Sequence, residues 1–312
     1  MKVAVVGIGG VGGYLAGMLG GADVELTLVA RGERKKSIEE NGLVLHSENN
    51  GERVVKPACV TEAAGLEKQD IIFLCVKTYS IDVVCGEIRH AVTADTIVVP
   101  VMNGVDTADR VAKTLGVGKV IGSVIYIVTF ANADYSITQQ GKFATVKFGV
   151  KDKAYESDAK KVDTLLKAAG VDHVLASDIE AEIWKKYMLN CAYNVASACY
   201  DNTMGQLKED KTKAAEYEAL VWEAYNVATA KGVALKKSDA EETIRKFYED
   251  YDYGLTSSLQ RDLNAGRQSE YEIFAEYLVK AAGEAGVEVP VTVKMAAGIR
   301  SRVKAGCHPD EC

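Results

Sequence analysis

Several groups of residues in this chain have types and spacings suited to chemistry. Gly7-x-Gly9-x-x-Gly12 follows the β-branched run 2–6 and opens an apolar-periodic segment. In such a turn Gly7 permits a tight bend, Gly9 lets backbone approach a phosphate, and Gly12 lets the helix pack on the sheet. Ile8, Gly10 and Val11 complete the turn. The helix N-terminus then offers free N–H groups and a partial positive charge to a dinucleotide pyrophosphate. Without a ligand the same residues are a glycine-rich turn. The next strand, expected over 24–30, runs into Ala30-Arg31-Gly32 with no acid to hold ribose hydroxyls. An acid would repel a 2′-phosphate, whereas Arg31 can pair with it through two hydrogen bonds. Arg34, Lys35 and Lys36 add positive charge nearby. NADP(H) is therefore the expected cofactor; the competing reading is a set of surface charges at a helix start.

Lys77 follows the apolar run 71–76, and Asn103-Gly104 follows 96–101. In an open α/β sheet the ligand lies beyond the C-terminal strand ends, so both side chains should point at the nicotinamide end. Alone, each is equally a solvated lysine and a helix-capping asparagine. Further on, Lys186, Asn190 and Asn194 are spaced i, i+4, i+8. On a helix they form one polar row, drifting about 40° per step. Ile183, Trp184, Tyr187, Cys191 and Val195 around them should be core. Such a row suits an oxygen-rich anion that is to be protonated; the competing reading is a solvated helix face. Hydride delivery to a ketone carbon leaves charge on the carbonyl oxygen, and Lys186 could both stabilise that charge and donate a proton. His46, His90, His173 and His308 stand in no comparable constellation. Thr256, Ser257 and Ser258 open an expected helix, either as carboxylate donors or as a plain cap. Glu270 lies in a first helical turn after a glycine break, where an acid also suits the helix dipole.

The elements that must carry these residues change character along the chain. Runs 2–6, 24–30, 71–76 and 96–99 read as strands, with helices over 14–19 and 81–90 between them. The continuous apolar runs are those of strands buried on two faces of a parallel sheet. Segments 119–129 and 143–150 add strands, the second as an antiparallel edge. After about residue 177 the pattern is helical. Ser177-x-x-Glu180, Ser238-x-x-Glu241 and Ser269-x-x-Glu272 read as capping boxes. The helices should end near Tyr200, at Gly232, near Tyr251 and near Gly286, with a last one from Pro290. The expected fold is α/β, with a Rossmann-type doubly wound sheet over 1–177 and an all-α domain over 178–312.

Composition narrows the function. The 312 residues hold 28 Gly and only 4 Pro, with 7% aromatics, which suits α/β packing better than a β-sandwich. A net charge of −7 favours neither nucleic acid nor an anionic membrane as partner. The seven dispersed cysteines contain no C-x-x-C pair, so reduced thiols and a cytoplasmic setting are expected. The tail from Cys307 to Cys312 can be drawn as a metal site, but a frayed end is the expectation, with no metal. Glycines through the apolar N-terminus argue against a signal peptide, and no apolar run is long enough to span a membrane.

Taken together, the N-terminal G-x-G-x-x-G, Ala30-Arg31-Gly32, Lys77, Asn103-Gly104, the W-x-K-x-x-x-N-x-x-x-N helix from Trp184 to Asn194 and the segment from Ser257 to Glu270 resemble the ketopantoate reductase (2-dehydropantoate 2-reductase) family, end to end. That resemblance implies a C-terminal domain like that of 6-phosphogluconate dehydrogenase. It implies NADPH-dependent reduction of 2-dehydropantoate to (R)-pantoate, a step toward pantothenate and coenzyme A. By the same resemblance Arg31 binds the 2′-phosphate, Asn103 bridges cofactor and substrate with Lys77 beside it, and Lys186 donates the proton. Asn190, Asn194 and Ser258 hold the 2-oxo acid, and Glu270 hydrogen-bonds the nicotinamide side of the cofactor. A homodimer is among the expectations. Met204 stands where members of the family carry another substrate-binding asparagine, which leaves another 2-oxo acid open as substrate. A non-catalytic NADP(H)-binding protein is the reading from a different class; it would have no use for the polar row.

Overall fold

A computed structural model describes residues 1–306, so the tail from Cys307 to Cys312, with its drawn metal site, lies outside the described residues. The chain forms two compact units, Met1–Glu182 and Ile183–Cys312, and the division falls inside a helix rather than in a loop.

The first unit runs β1 (Lys2–Val6), α1 (Gly10–Leu19), β2 (Glu25–Val29), α2 (Gly32–Asn41), β3 (Leu43–Ser47), β4 (Gly51–Val55), β5 (Cys59–Thr61), β6 (Ile71–Leu74), α3 (Ile81–Ile88), β7 (Ile97–Pro100), α4 (Thr107–Leu115), β8 (Lys119–Val120), β9 (Gly122–Ala131), β10 (Ile137–Gly149), α5 (Glu156–Ala168) and β11 (His173–Leu175). Six strands make one parallel sheet in the order β5-β2-β1-β6-β7-β8. Counted within the sheet this is 3-2-1-4-5-6, the Rossmann order, with its switch point between β1 and β6. The strand residues alternate between two cores. Val3, Val5, Ile71, Phe73, Ile97 and Val99 bury on one face, while Ala4, Val6, Ile72, Leu74 and Val98 bury on the other. Period-two burial on both faces is why these runs are apolar without interruption.

A second, five-stranded sheet was not anticipated. Its order is β11-β10-β3-β4, with β9 paired antiparallel to β10. So β10 is the centre of that sheet and not an edge, and β3 and β4 form a hairpin. Helix α1 lies against this sheet through its glycines and the Gly20 that caps it. A Cβ on Gly13 would come within 2.4 Å of Ile137, on Gly17 within 2.6 Å of Leu45, and on Gly20 within 2.3 Å of Val55. Gly13-x-x-x-Gly17 was the available signal for that second contact.

The second unit contains the remainder of α6 (Ile179–Tyr200), then α7 (Met204–Glu209), α8 (Lys211–Ala230), α9 (Lys237–Glu249), α10 (Ser258–Asn264), a π turn over Glu272–Glu276, α11 (Tyr277–Ala285) and α12 (Pro290–Gly306). Helix α8 stops before Gly232, whose φ is +85°, and α11 before Gly286, in a left-handed cap. Tyr217 of α8 stacks on Phe247 of α9 at 3.9 Å. The buried Glu223 carboxylate accepts the N–H groups of Val291 and Thr292, each at 2.8 Å, and so caps α12 with a charge that suits its dipole. The three expected capping boxes shift. Asp178, not Ser177, accepts the first-turn N–H of α6, from Ala181 at 3.0 Å. Asp239 accepts from Lys236 N–H at 2.8 Å, so α9 opens before Ser238. The segment after Ser269 enters a π turn instead of an α-helical one. In each case a neighbouring aspartate or a tertiary contact outcompetes the serine.

Candidate functional site

In the first unit the C-terminal strand ends gather the expected cofactor residues. Val6 of β1, Leu74 of β6 and Pro100 of β7 occupy one rung of the sheet. Three residues past that rung stand Gly9, Lys77 and Asn103. Val29 of β2 shares the rung, and Arg31 is two residues past it. The register therefore brings a glycine turn, a lysine, an asparagine and an arginine to one edge, beside the switch point where open α/β sheets bind ligands.

The glycines differ in what their missing Cβ allows. Gly12 is packed so tightly that a Cβ would meet Gly7 O at 2.0 Å, and Gly7 itself has φ +91° under the Cys75 carbonyl. At Gly9 a Cβ would meet no protein atom within 4 Å. That space at the start of α1 fits a pyrophosphate that needs bare backbone, so these residues suit a dinucleotide. Ile8 is buried, while Gly10 and Val11 lie in the first turn of α1, with Thr129 of β9 against Gly10.

Arg31 is exposed at the start of α2, and no acid pairs with it among the described residues. The two neighbouring lysines are paired with acids, whereas the buried Arg34 Nη1 has no hydrogen-bond partner among the described residues. Lys35 pairs with Glu39 at 2.9 Å and Lys36 with Glu33 at 2.7 Å. Arg34 lies over the Tyr135 ring at 5.3 Å. Lys77 and Asn103 are half-buried and both have interaction partners. Gly104, with φ +100°, turns the chain sharply after Asn103.

In the second unit α6 carries the polar row. Trp184, Tyr187, Met188, Cys191, Ala192 and Val195 are buried, as their apolar spacing required. Lys186 and Asn190 are half-buried and Asn194 is 4% exposed. Burial pulls the Lys186 ammonium down to about 8, and the nearby Glu270 carboxylate opposes that pull. Glu270 is itself buried. The structure thus brings together Lys186 and Glu270, which lie far apart in sequence.

Asn194 and Ser258 also meet, within a hydrogen-bonded network. The Asn194 side-chain oxygen accepts the Ser258 hydroxyl and the Leu259 N–H, both at 3.3 Å, and its amide donates to Asn190 O at 3.1 Å. Asn194 therefore fastens the start of α10 to α6. Ser257 is the N-cap, accepting Gln260 N–H at 3.1 Å. Its hydroxyl is bonded to Ser197 at 2.7 Å. Beyond α6, Asp201 adopts a left-handed φ of +52° and accepts Gln260 at 3.0 Å and Asn264 at 2.9 Å. Sequence reasoning missed Ser197 and Asp201. Ser197, three residues past Asn194 on the same helix, was the available signal. Met204 is fully buried and opens α7, and its N–H donates to Leu255 O at 3.0 Å.

The described histidines are engaged locally. His46 bonds Glu52, His90 bonds Leu66 O at 2.9 Å, and His173 bonds Val171 O at 2.7 Å. Among the described residues no cluster of His, Cys, Asp and Glu is placed to hold a metal, and no helix is long and apolar enough to cross a membrane.

Comparison with known proteins places this arrangement. A family model of ketopantoate reductase PanE/ApbA matches residues 3–153, and the model of that family's C-terminal part matches residues 178–302. A 2-dehydropantoate 2-reductase of Mesorhizobium japonicum is 28% identical over 340 residues, covering 99% of this chain and 100% of that protein. An uncharacterized oxidoreductase, YkpB, of Bacillus subtilis is 23% identical over 291 residues, covering 93% of this chain and 95% of its own. Among solved structures, a PanE/ApbA family ketopantoate reductase from Ralstonia eutropha aligns at a TM-score of 0.89 and 27% identity, over 99% of this chain and 100% of that one. D-mandelate dehydrogenase, solved with NADH and anilino(oxo)acetate, shares the fold at a TM-score of 0.88 and 19% identity, over 98% of this chain and 99% of that one. The matches run through both units, and the chain belongs to the ketopantoate reductase PanE/ApbA family, whose members are oxidoreductases that work with a nicotinamide cofactor.

Proposed function

We propose that this protein is an NADPH-dependent 2-dehydropantoate 2-reductase, forming (R)-pantoate, and that Lys186 supplies the proton. The observation that carries the reading is Lys186 itself: a half-buried lysine brought down to about 8 beside a buried glutamate. An ammonium tuned toward neutrality gives up its proton more readily than a solvated one, which is what a general acid requires. When bound, the nicotinamide supplies the hydride. Lys186 would hold the ketone oxygen and protonate it as charge develops there. Ser258 would turn its hydroxyl from Asn194 to the carboxylate, and Asn194, still accepting the Leu259 N–H, would keep that helix start fastened to α6. Asn190 lies on the same row as a further donor.

On the cofactor side, Arg31 would take the 2′-phosphate, since no described acid competes for it. Gly7 to Gly12 would hold the pyrophosphate, with Lys77 and Asn103 toward the nicotinamide. Glu270 would accept from the cofactor as well as acting on Lys186. On this reading residues 1–177 bind cofactor, 178–312 supply the acid and the substrate contacts, and the enzyme works in the cytoplasm. NADPH oxidation with 2-dehydropantoate, against a panel of 2-oxo acids, tests the reading. Turnover of 2-dehydropantoate well above the panel is expected; no turnover of it would reject the assignment.

One observation favours a neighbouring substrate. Met204 presents a fully buried thioether where the family resemblance calls for an asparagine. A 2-oxo acid without the hydroxyl-bearing tail of ketopantoate would suit it, and the D-mandelate dehydrogenase likeness is in keeping with that. The same panel decides, since an apolar or aromatic 2-oxo acid would then be reduced best.

A further inference from the structure

The segment that follows Glu270 is not an ordinary helix start. Over Glu272–Glu276 the backbone forms a π turn, in which the Tyr277 N–H donates to Glu272 O, five residues back. The wider register displaces carbonyls from their usual partners. Two side chains four residues apart on α6 reach those carbonyls. The Tyr187 phenol donates to Ile273 O at 2.8 Å, and the Cys191 thiol donates to Phe274 O at 3.2 Å. Tyr187 and Cys191 are 2% and 0% exposed. The Tyr187 ring meets Trp184 and Tyr277 edge-on, at 5.4 and 5.9 Å, which fixes where its hydroxyl points. Ile273 in turn donates its N–H to Glu270 O at 3.2 Å, so the clasped carbonyl and Glu270 belong to one short hydrogen-bonded segment. Tyr187 is also the residue next to Lys186 on α6.

We propose that Tyr187, with Cys191, is a positioning residue that clasps the π turn and so fixes the Glu270 carboxylate against the Lys186 ammonium. The inference deepens the reading of Lys186 as proton donor and rests on it. Lys185, beside Lys186, is paired with Asp239 of α9 at 3.4 Å, and Asn190 and Asn194 are uncharged. Burial pushes the Cys191 thiol well up, so it stays a neutral donor. The Glu270 carboxylate acts on Lys186 and raises the lysine against burial. A loosened clasp therefore shifts the lysine downward, since an opposite charge that moves away no longer favours the ammonium.

The test is competitive acetylation of Lys186 across pH, read by mass spectrometry on enzyme without substrate. Tyr187→Phe removes one oxygen and keeps the ring. The midpoint for Lys186 should fall by about half to one pH unit, and the basic limb of kcat/KM should fall with it. Glu270→Gln should lower the midpoint too, and adding Tyr187→Phe to Glu270→Gln should lower it no further. Cys191→Ala should give a smaller fall that Cys191→Ser, which keeps a donor, largely restores; this pair carries the test if Tyr187→Phe does not fold. An unchanged or raised midpoint in folded Tyr187→Phe overturns the proposal, as does an undiminished fall in the Glu270→Gln background. Near-full activity in Lys186→Ala would reject the donor reading instead, and would leave the acetylation midpoints to judge the clasp separately.

Discussion

The C-terminal edge of the parallel sheet and the polar row of α6 present polar groups by different physics. At the sheet edge, backbone does most of the work. Strand register sets Gly9, Lys77 and Asn103 at equal distance past one rung, and glycines remove side chains where the chain must bend or a ligand must approach. On α6 the side chains matter, and their properties come from elsewhere: from Glu270, from the start of α10 and from the π turn. A site made of backbone is robust to its surroundings. A site made of a half-buried lysine depends on the groups packed around it.

The largest effect should come from the side-chain site. Lys186→Ala should lower kcat by about 10²- to 10⁴-fold with cofactor binding retained, as measured by steady-state kinetics and fluorescence titration. Lys186→Arg should rescue little, because guanidinium holds its proton. Near-full kcat in Lys186→Arg would reassign the charge to electrostatic stabilisation. The wild-type kcat/KM for reduction should fall as pH rises through about 8, where the lysine loses its proton. A profile flat from pH 6 to 10 would deny Lys186 the role of acid.

Next in size is the cofactor side. Arg31→Ala should weaken NADPH binding by about ten- to a hundred-fold, from the roughly 1.5–3 kcal/mol of a charge-assisted hydrogen bond. NADH binding should barely change. Equal losses for both cofactors would place Arg31 away from the phosphate.

The glycines sharpen the contrast between packing and ligand approach. Gly12→Ala places a Cβ 2.0 Å from Gly7 O and should destabilise the first unit by about 1–3 kcal/mol in denaturant unfolding. Gly9→Ala meets no protein atom, so stability should hold while dinucleotide affinity drops. A large stability loss in Gly9→Ala would mean the turn is strained for reasons of its own.

Smallest in catalysis should be Asn194→Ala. It leaves a buried helix start without its acceptor, costing about 1–3 kcal/mol of stability. Substrate KM should rise and NADPH affinity should hold. A variant of undiminished stability whose KM alone rises would return Asn194 to direct substrate contact.

The local sequence by itself determined four of the six parallel strands, the glycine turn, the basic residue after β2 and the polar row, because each depends on periodicity or on steric limits within a few residues. Gly7, Gly9 and Gly12 are legible for that reason, as is the stop of α8 before Gly232. Tertiary structure decided the rest. The second sheet joins β3, β10 and β11 across long stretches of chain, and each strand is too short or too ordinary to announce its partner. The π turn cannot be seen in Ser269-x-x-Glu272, since its displaced carbonyls are satisfied by Tyr187 and Cys191 from another helix. Nor can the lowered affinity of Lys186 for its proton be read from the i, i+4, i+8 spacing. Spacing places a lysine on a face; how that face is buried, and which carboxylate reaches it, depends on residues some eighty positions away that only the packed fold brings near.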